Sequence, residues 1–175
     1  MSHRSAVTTA APDLDPFRFR RTVGRFSTGI TVITTAEGEQ VHGMTANGFL
    51  SVSLEPPLVL VSLATRSRMA GLLARTGRYG VSVLADDQQM HSQHFAGRPV
   101  ADLRPEFRWA AGLPFLDGAL AEIGCDVVDV HEAGDHQLFI GHVRHLAERE
   151  GKPLVFFTGS YRALHAGLDE DSFTY

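Results

Sequence analysis

The sequence predicts a mainly β protein, an antiparallel barrel with a few peripheral helices and therefore α+β overall. Three observations point there. Short runs of strand length recur, such as the β-branched residues 30–35 (ITVITT) and the apolar residues 58–64 (LVLVSLA). Turn residues join successive runs as hairpins, with Gly38 and Gly134 at two tips. Helical segments are few and short, and they do not alternate with strands as a doubly wound parallel sheet requires.

Taken in order, Asp15-Pro16 caps and opens a helix running to about Ser27, with Phe17, Val23 and Phe26 sharing a face and Gly29 ending it. Strands follow at residues 30–35 and 40–46, joined across Glu37-Gly38-Glu39. Pro56-Pro57 sets an extended entry to the buried strand at 58–64. Ser67 caps a helix over 68–76, with Met69, Leu72 and Leu73 inward, and Gly77 stops it. A strand at 79–84 and a short helix over 86–95 come next. Residues 97–115, which hold Trp109, read as irregular. Two long strands, 120–131 and 137–148, turn at Ala133-Gly134-Asp135, and a last strand at 153–157 leads to a loop at 159–164. Residues 15–165 form one domain, with a disordered tail at 1–14 and a loose tail at 166–175.

Composition excludes several classes. The 175 residues carry a net charge of -4 with acidic and basic side chains interspersed, so no basic patch calls for nucleic acid or an anionic membrane. No apolar run is long enough for a membrane helix and no secretory leader is visible, which places the expected site of action in the cytoplasm. The lone Cys125 lies in an apolar run and reads as a buried small hydrophobe. The dinucleotide glycine fingerprint, the P-loop, the zincin helix and the nucleophile elbow are all absent. His91 with His94, and the histidines of the long hairpin, lack a ligand spacing, so no metal is expected.

Four features carry chemistry. Residues 43–53 (GMTANGFLSVS) form a track of small and polar groups, with Thr45, Asn47, Ser51 and Ser53 offering hydroxyls and an amide. Such a track suits the donor and acceptor edge of a flavin, and it equally fits a Ser/Thr-rich turn. Thr65-Arg66-Ser67-Arg68 opens a helix, where free N–H groups and two arginines favour a phosphate, or simply make a cap with exposed arginines. Phe95-Ala96-Gly97-Arg98 puts an aromatic beside small residues, either against a planar ring or in the core. Gly134-Asp135-His136 sets a histidine at a hairpin tip, where it meets a nicotinamide or only solvent.

In this order the segments resemble the flavin reductases of two-component monooxygenases, which share a split β-barrel, FMN-binding fold. The resemblance rests on residues 26–35, 43–47 and 51–59, then Ser67, 79–84, 95–97, 134–136 with Gly141, and 153–157 leading to Tyr161. It implies direct hydride transfer from NADH or NADPH to FMN or FAD, a homodimer, and a partner oxygenase that receives reduced flavin. It implies that Thr45, Ala46, Asn47, Ser51, Val52 and Ser53 line the isoalloxazine, with Ser62 and Ala64 alongside. Arg66, Ser67 and Arg68 then face the phosphate, Phe95, Ala96 and Gly97 close the site, and His136 and Tyr161 stand on the nicotinamide side. Gly48 departs from the pattern, which often has Ser there. The rival expectations are a non-catalytic flavin-binding sensor and a flavin oxidase or corrinoid reductase on the same barrel.

Overall fold

The computed structural model describes residues 14–164, so the terminal tails lie largely outside the described residues. Twelve strands and three helices follow in the order α1 (Pro16–Val23), β1 (Thr28–Gly29), β2 (Thr31–Glu37), β3 (Gln40–Ala46), β4 (Phe49–Leu54), β5 (Pro57–Ala64), α2 (Arg68–Thr76), β6 (Arg78–Val83), α3 (Gln89–Phe95), β7 (Phe107–Ala110), β8 (Leu113–Leu116), β9 (Ala121–Ala133), β10 (His136–Glu148), β11 (Val155–Phe157) and β12 (Ser160–Arg162).

Seven strands make one antiparallel sheet in the order β3-β2-β6-β9-β10-β5-β4. Its two edge strands, β3 and β4, are neighbours in the chain, joined only by Asn47-Gly48. The sheet therefore has to curl until its edges approach at that junction. The Ser62 N–H donates to the Gly48 carbonyl at 2.8 Å, pinning the junction onto β5. β3 and β4 do not pair, so among the described residues the sheet does not close into a barrel: the ladder stays open where the chain spends two residues crossing from one edge to the other. A small sheet β1-β11-β12 and a hairpin β7-β8 flank it.

The core fills the concave side. Ile33, Val61, Leu63, Val81 and Phe139 come from the sheet, and Met69, Leu72 and Leu73 from α2, all 3% exposed or less. α2 starts where Ser67 Oγ accepts from the Ala70 N–H at 3.1 Å and stops at Gly77, whose φ of 66° is the left-handed cap that glycine permits. The expected hairpin turns at Gly38 and Gly134 are present, with φ of 61° and 63°. Cys125 is buried, and burial pushes its thiol up to about 12. A neutral thiol without solvent access is inert, so modification by a disulfide reagent at pH 8 should run at least about a hundredfold slower in the folded protein than in denaturant.

Four segments differ from the sequence expectation. α1 ends at Val23, capped by Gly24 rather than reaching Ser27. Among the described residues its apolar face is uncovered: Phe17 is 80% exposed, and Phe26, just beyond the helix, 79%. Residues 107–116 are a hairpin rather than irregular, because Ala111 and Gly112 both take positive φ, 49° and 74°, as a two-residue turn demands. Pro114 within the second strand obscured it, and a proline is tolerated there because β8 pairs only with β7. Residues 49–54 form an edge strand, and residues 160–162 pair with β11 rather than looping.

Candidate functional site

The open junction between β3 and β4 is one wall of a cavity of about 310 Å3. Thr45, Ala46 and Asn47 supply this wall, and Ser92, Gln93, Ala96 and Arg98 line it from α3 and the residues after it. Phe156, Gly159 and Tyr161 form the opposite wall from the β11-β12 hairpin, with Ile30 between. That volume lies at the lower end of the range for small-molecule pockets.

Each side chain here is placed by a local cause. Ala46 ends β3 opposite Thr31, whose buried hydroxyl donates to the Ala46 carbonyl at 2.7 Å. The Ala46 carbonyl is thus held, and Asn47 emerges exposed at the rim. Thr45 Oγ1 donates to the Ser92 carbonyl at 2.7 Å, tying β3 to α3. With its proton committed, Thr45 Oγ1 offers a ligand only lone pairs, whereas the Asn47 amide offers both donors and an acceptor. Ser92, 1% exposed, has its Oγ 3.0 Å from the Tyr161 hydroxyl. The Tyr161 ring meets Phe156 edge-on, centroids 5.7 Å apart. No carboxylate is among the described lining residues, and Arg98 is the one charged residue of that lining. The field inside favours an electron-rich or anionic guest.

The structure brings together Thr45, Ala46, Asn47, Ala96 and Tyr161 from the expected set. It places the others elsewhere. Ser51 and Val52 sit exposed on the edge strand β4, with Ser53 partly buried beside them. Ser62 lies under Gly48, where an added Cβ would stand 3.1 Å from Ser62 Cβ. A serine at position 48 would crowd β5, which accounts for the glycine. Phe95 does not line the cavity but packs across Gly43, where a Cβ would come within 2.6 Å of its ring, with Phe107 behind it at 6.1 Å. Gly97 takes φ of 80° in the turn after α3.

A second grouping lies at the β9-β10 hairpin tip. His136 pairs with Ala64 across the β5-β10 ladder, and the Thr65 N–H donates to the Asp135 carbonyl at 2.9 Å. His136 is therefore beside the segment carrying Arg66, Ser67 and Arg68, none of which lines the cavity. His136 Nδ1 lies 2.7 Å from Asp135 Oδ1, and that hydrogen bond holds the Asp135 carboxyl below its usual range.

Sequence reasoning missed Ser92 and Gln93, and gave no separate role to Arg98 at the end of the Phe95–Arg98 feature. The signal existed: Ser92, Phe95 and Ala96 share a face at helical spacing, and a small polar residue on such a face marks a built contact.

The chain matches the flavin reductase like domain over residues 23–165. It belongs to the flavin reductase family. An NADH-dependent flavin reductase from a Rhodococcus species is 51% identical over 163 residues, covering 91% of this chain and 93% of the relative. The reductase subunit HsaB of a flavin-dependent monooxygenase from Rhodococcus jostii is 40% identical, covering 89% and 81%. The NADH:FAD oxidoreductase SgcE6 of Streptomyces globisporus, solved with NAD and FAD fragments, superposes with a TM-score of 0.82 at 33% identity, covering 91% of this chain and all of that one. Among the described residues no helix is long and apolar enough to cross a membrane.

Proposed function

We propose that the chain is an NADH-dependent flavin reductase that delivers reduced FMN or FAD to a separate oxygenase. One observation carries the reading: an acid-free cavity whose floor is the Thr45-Ala46-Asn47 corner and whose far wall is an aromatic hairpin. The lining fits a flavin. Ala46, Ile30 and Phe156 give apolar surface for a planar ring, and Asn47 meets the donor and acceptor needs of its polar edge.

Flavin, when bound, supplies the hydride-accepting chemistry, and the nicotinamide supplies the hydride. The protein's part is position and field. Thr45, Ala46 and Asn47 orient one ring, Tyr161 and Phe156 flank the space for a second, and Arg98 favours the charge that accumulates. Water is displaced from between the two rings by the same walls. In this reading Arg66, Ser67 and Arg68 take the phosphate, with Ser51, Val52, Ser53, Ser62 and Ala64 along the path toward it, and His136 guides the dinucleotide. Residues 15–165 act as one domain, and the site of action is the cytoplasm, where a free thiol such as Cys125 stays reduced. The split barrel belongs to the reading as well, closed in function by the ligand at the β3–β4 gap.

A homodimer completes the account. The exposed apolar face of α1 and the side of β4 carrying Leu50, Val52 and Leu54, the last 91% exposed, need covering. Wild type should sediment as a dimer and Leu54→Asp as a monomer; a wild-type monomer at micromolar concentration contradicts the interface.

The test is simple. NADH absorbance should fall only when FMN or FAD is added, and aerobically the flavin should turn over many times. Flavin binding without NADH oxidation would favour the sensor instead.

A further inference from the structure

We infer that Ser92 is a positioning residue for the nicotinamide substrate, acting through the Tyr161 hydroxyl; the inference rests on the reductase reading above. Ser92 sits where three separate elements meet. Its carbonyl accepts from Thr45 of β3, and its Oγ bonds Tyr161 of β12. β12 belongs to the small sheet, not to the seven-stranded one, and the Ser92–Tyr161 bond is the one side-chain hydrogen bond joining it to another element among the described residues.

The geometry clamps the Tyr161 ring at both ends. Phe156 holds its edge at 5.7 Å, and Ser92 holds its hydroxyl at 3.0 Å. Ser92 is itself immobile: it is 1% exposed and its N–H donates to the Gln88 carbonyl within α3. Without the Ser92 hydroxyl, the phenol faces a methyl group. It then turns toward water to recover a partner, carrying the ring off the cavity wall, and the phenyl ring of Tyr161→Phe likewise loses that anchor and keeps only the Phe156 contact. The Thr45 corner, by contrast, is held by the Ser92 backbone carbonyl, which a side-chain change leaves in place.

This asymmetry separates the two substrates. The flavin rests on the Thr45–Asn47 wall, and the dihydronicotinamide that lies on it faces the Tyr161 wall. Loss of the Ser92 hydroxyl therefore loosens the second ring and spares the first.

Four variants test this: Ser92→Ala, Ser92→Thr, Tyr161→Phe and the double variant Ser92→Ala with Tyr161→Phe. KM and kcat for NADH come from steady-state kinetics, and flavin Kd from fluorescence quenching. Ser92→Ala and Tyr161→Phe should each raise the KM for NADH about fivefold to tenfold, as loss of one hydrogen bond does, with kcat and flavin Kd within about twofold. The double variant should be no worse than either single, since both break the same bond. Ser92→Thr keeps a hydroxyl and should stay near wild type. Should Ser92→Ala not fold, Tyr161→Phe tests the same bond from its less buried end. An unchanged KM in Ser92→Ala, effects that multiply in the double variant, or flavin Kd rising in step with KM each overturn the inference while leaving the reductase reading intact. A wild type that oxidises no NADH with either flavin sinks that reading, and the role of Ser92 with it.

Discussion

Gly141→Ala is expected to unfold the protein at markedly lower temperature. Gly141 lies in the middle of β10, at a register shift against β9, with β9 and β5 on either side. A Cβ there would stand 2.2 Å from the Tyr79 hydroxyl and 2.7 Å from Cys125 Cβ. Neither neighbour can withdraw, since Tyr79 is 0% and Cys125 1% exposed within the core. The backbone at Gly141 is not in the left-handed region, so the whole cost is steric. Overpacking of this kind costs about 3 kcal/mol. For a chain of this length that is roughly 6–12 °C in Tm. The Tyr79 hydroxyl is buried without a partner, and burial pushes its pKa far above the ordinary tyrosine range. Tyr79→Phe removes that unpaired group and should be neutral or slightly stabilising alone. Added to Gly141→Ala it should recover about half of the loss, because the tightest clash is with the atom it deletes. Thermal unfolding followed by circular dichroism reads all three. A Gly141→Ala protein as stable as wild type would mean the core at β6, β9 and β10 is not packed as described.

The second large effect concerns activity. Ala96 lines the cavity yet is exposed, at the C-terminal cap of α3. Ala96→Trp puts an indole into the space a planar ring would take and disturbs no buried contact. The folded protein should persist, with Tm within a few degrees, since exposed substitutions of this sort cost about 0.5 kcal/mol or less. Flavin reduction should fall at least about a hundredfold, the scale on which misplacing a reacting ring acts. Steady-state NADH oxidation at saturating FMN and FAD measures it. Full activity in Ala96→Trp would move the reaction away from this cavity, toward the His136 and Arg66–Arg68 side of the sheet.

The fold was legible in the sequence wherever pattern and local chemistry agreed. β2 announced itself by its β-branched run, β5 by its apolar run, α2 by its Ser67 and Gly77 caps, and the long hairpin by Gly134. What escaped had a physical reason. β4 looks like a polar turn because Leu50, Val52 and Leu54 are exposed along with Ser51, so the in-out alternation of a half-buried strand is missing. Among the described residues nothing covers that apolar side. The same holds for α1, whose phenylalanines read as core and lie exposed. The β7-β8 hairpin was hidden by Pro114 and by an alanine in a position usually held by Asn or Gly.

The site divided in the same way. Thr45, Ala46, Asn47 and Tyr161 were found through a resemblance spread along the chain, and the cavity gathers them. Phe95 was expected to face a ligand and instead braces Gly43, because spacing alone does not separate an aromatic in a site from one behind it. Ser92 carried no motif; its importance appears only when α3 is laid against β3 and β12. His136 and the Arg66–Arg68 segment form a real neighbourhood, built by the β5-β10 ladder, outside the walls of the cavity.

The most direct test is a crystal structure of the protein with FAD bound. The isoalloxazine should rest against Ala46 and Asn47 with Tyr161 across from it, and one face open to a second ring. Density for the isoalloxazine anywhere else, with this cavity left to solvent, would contradict the account.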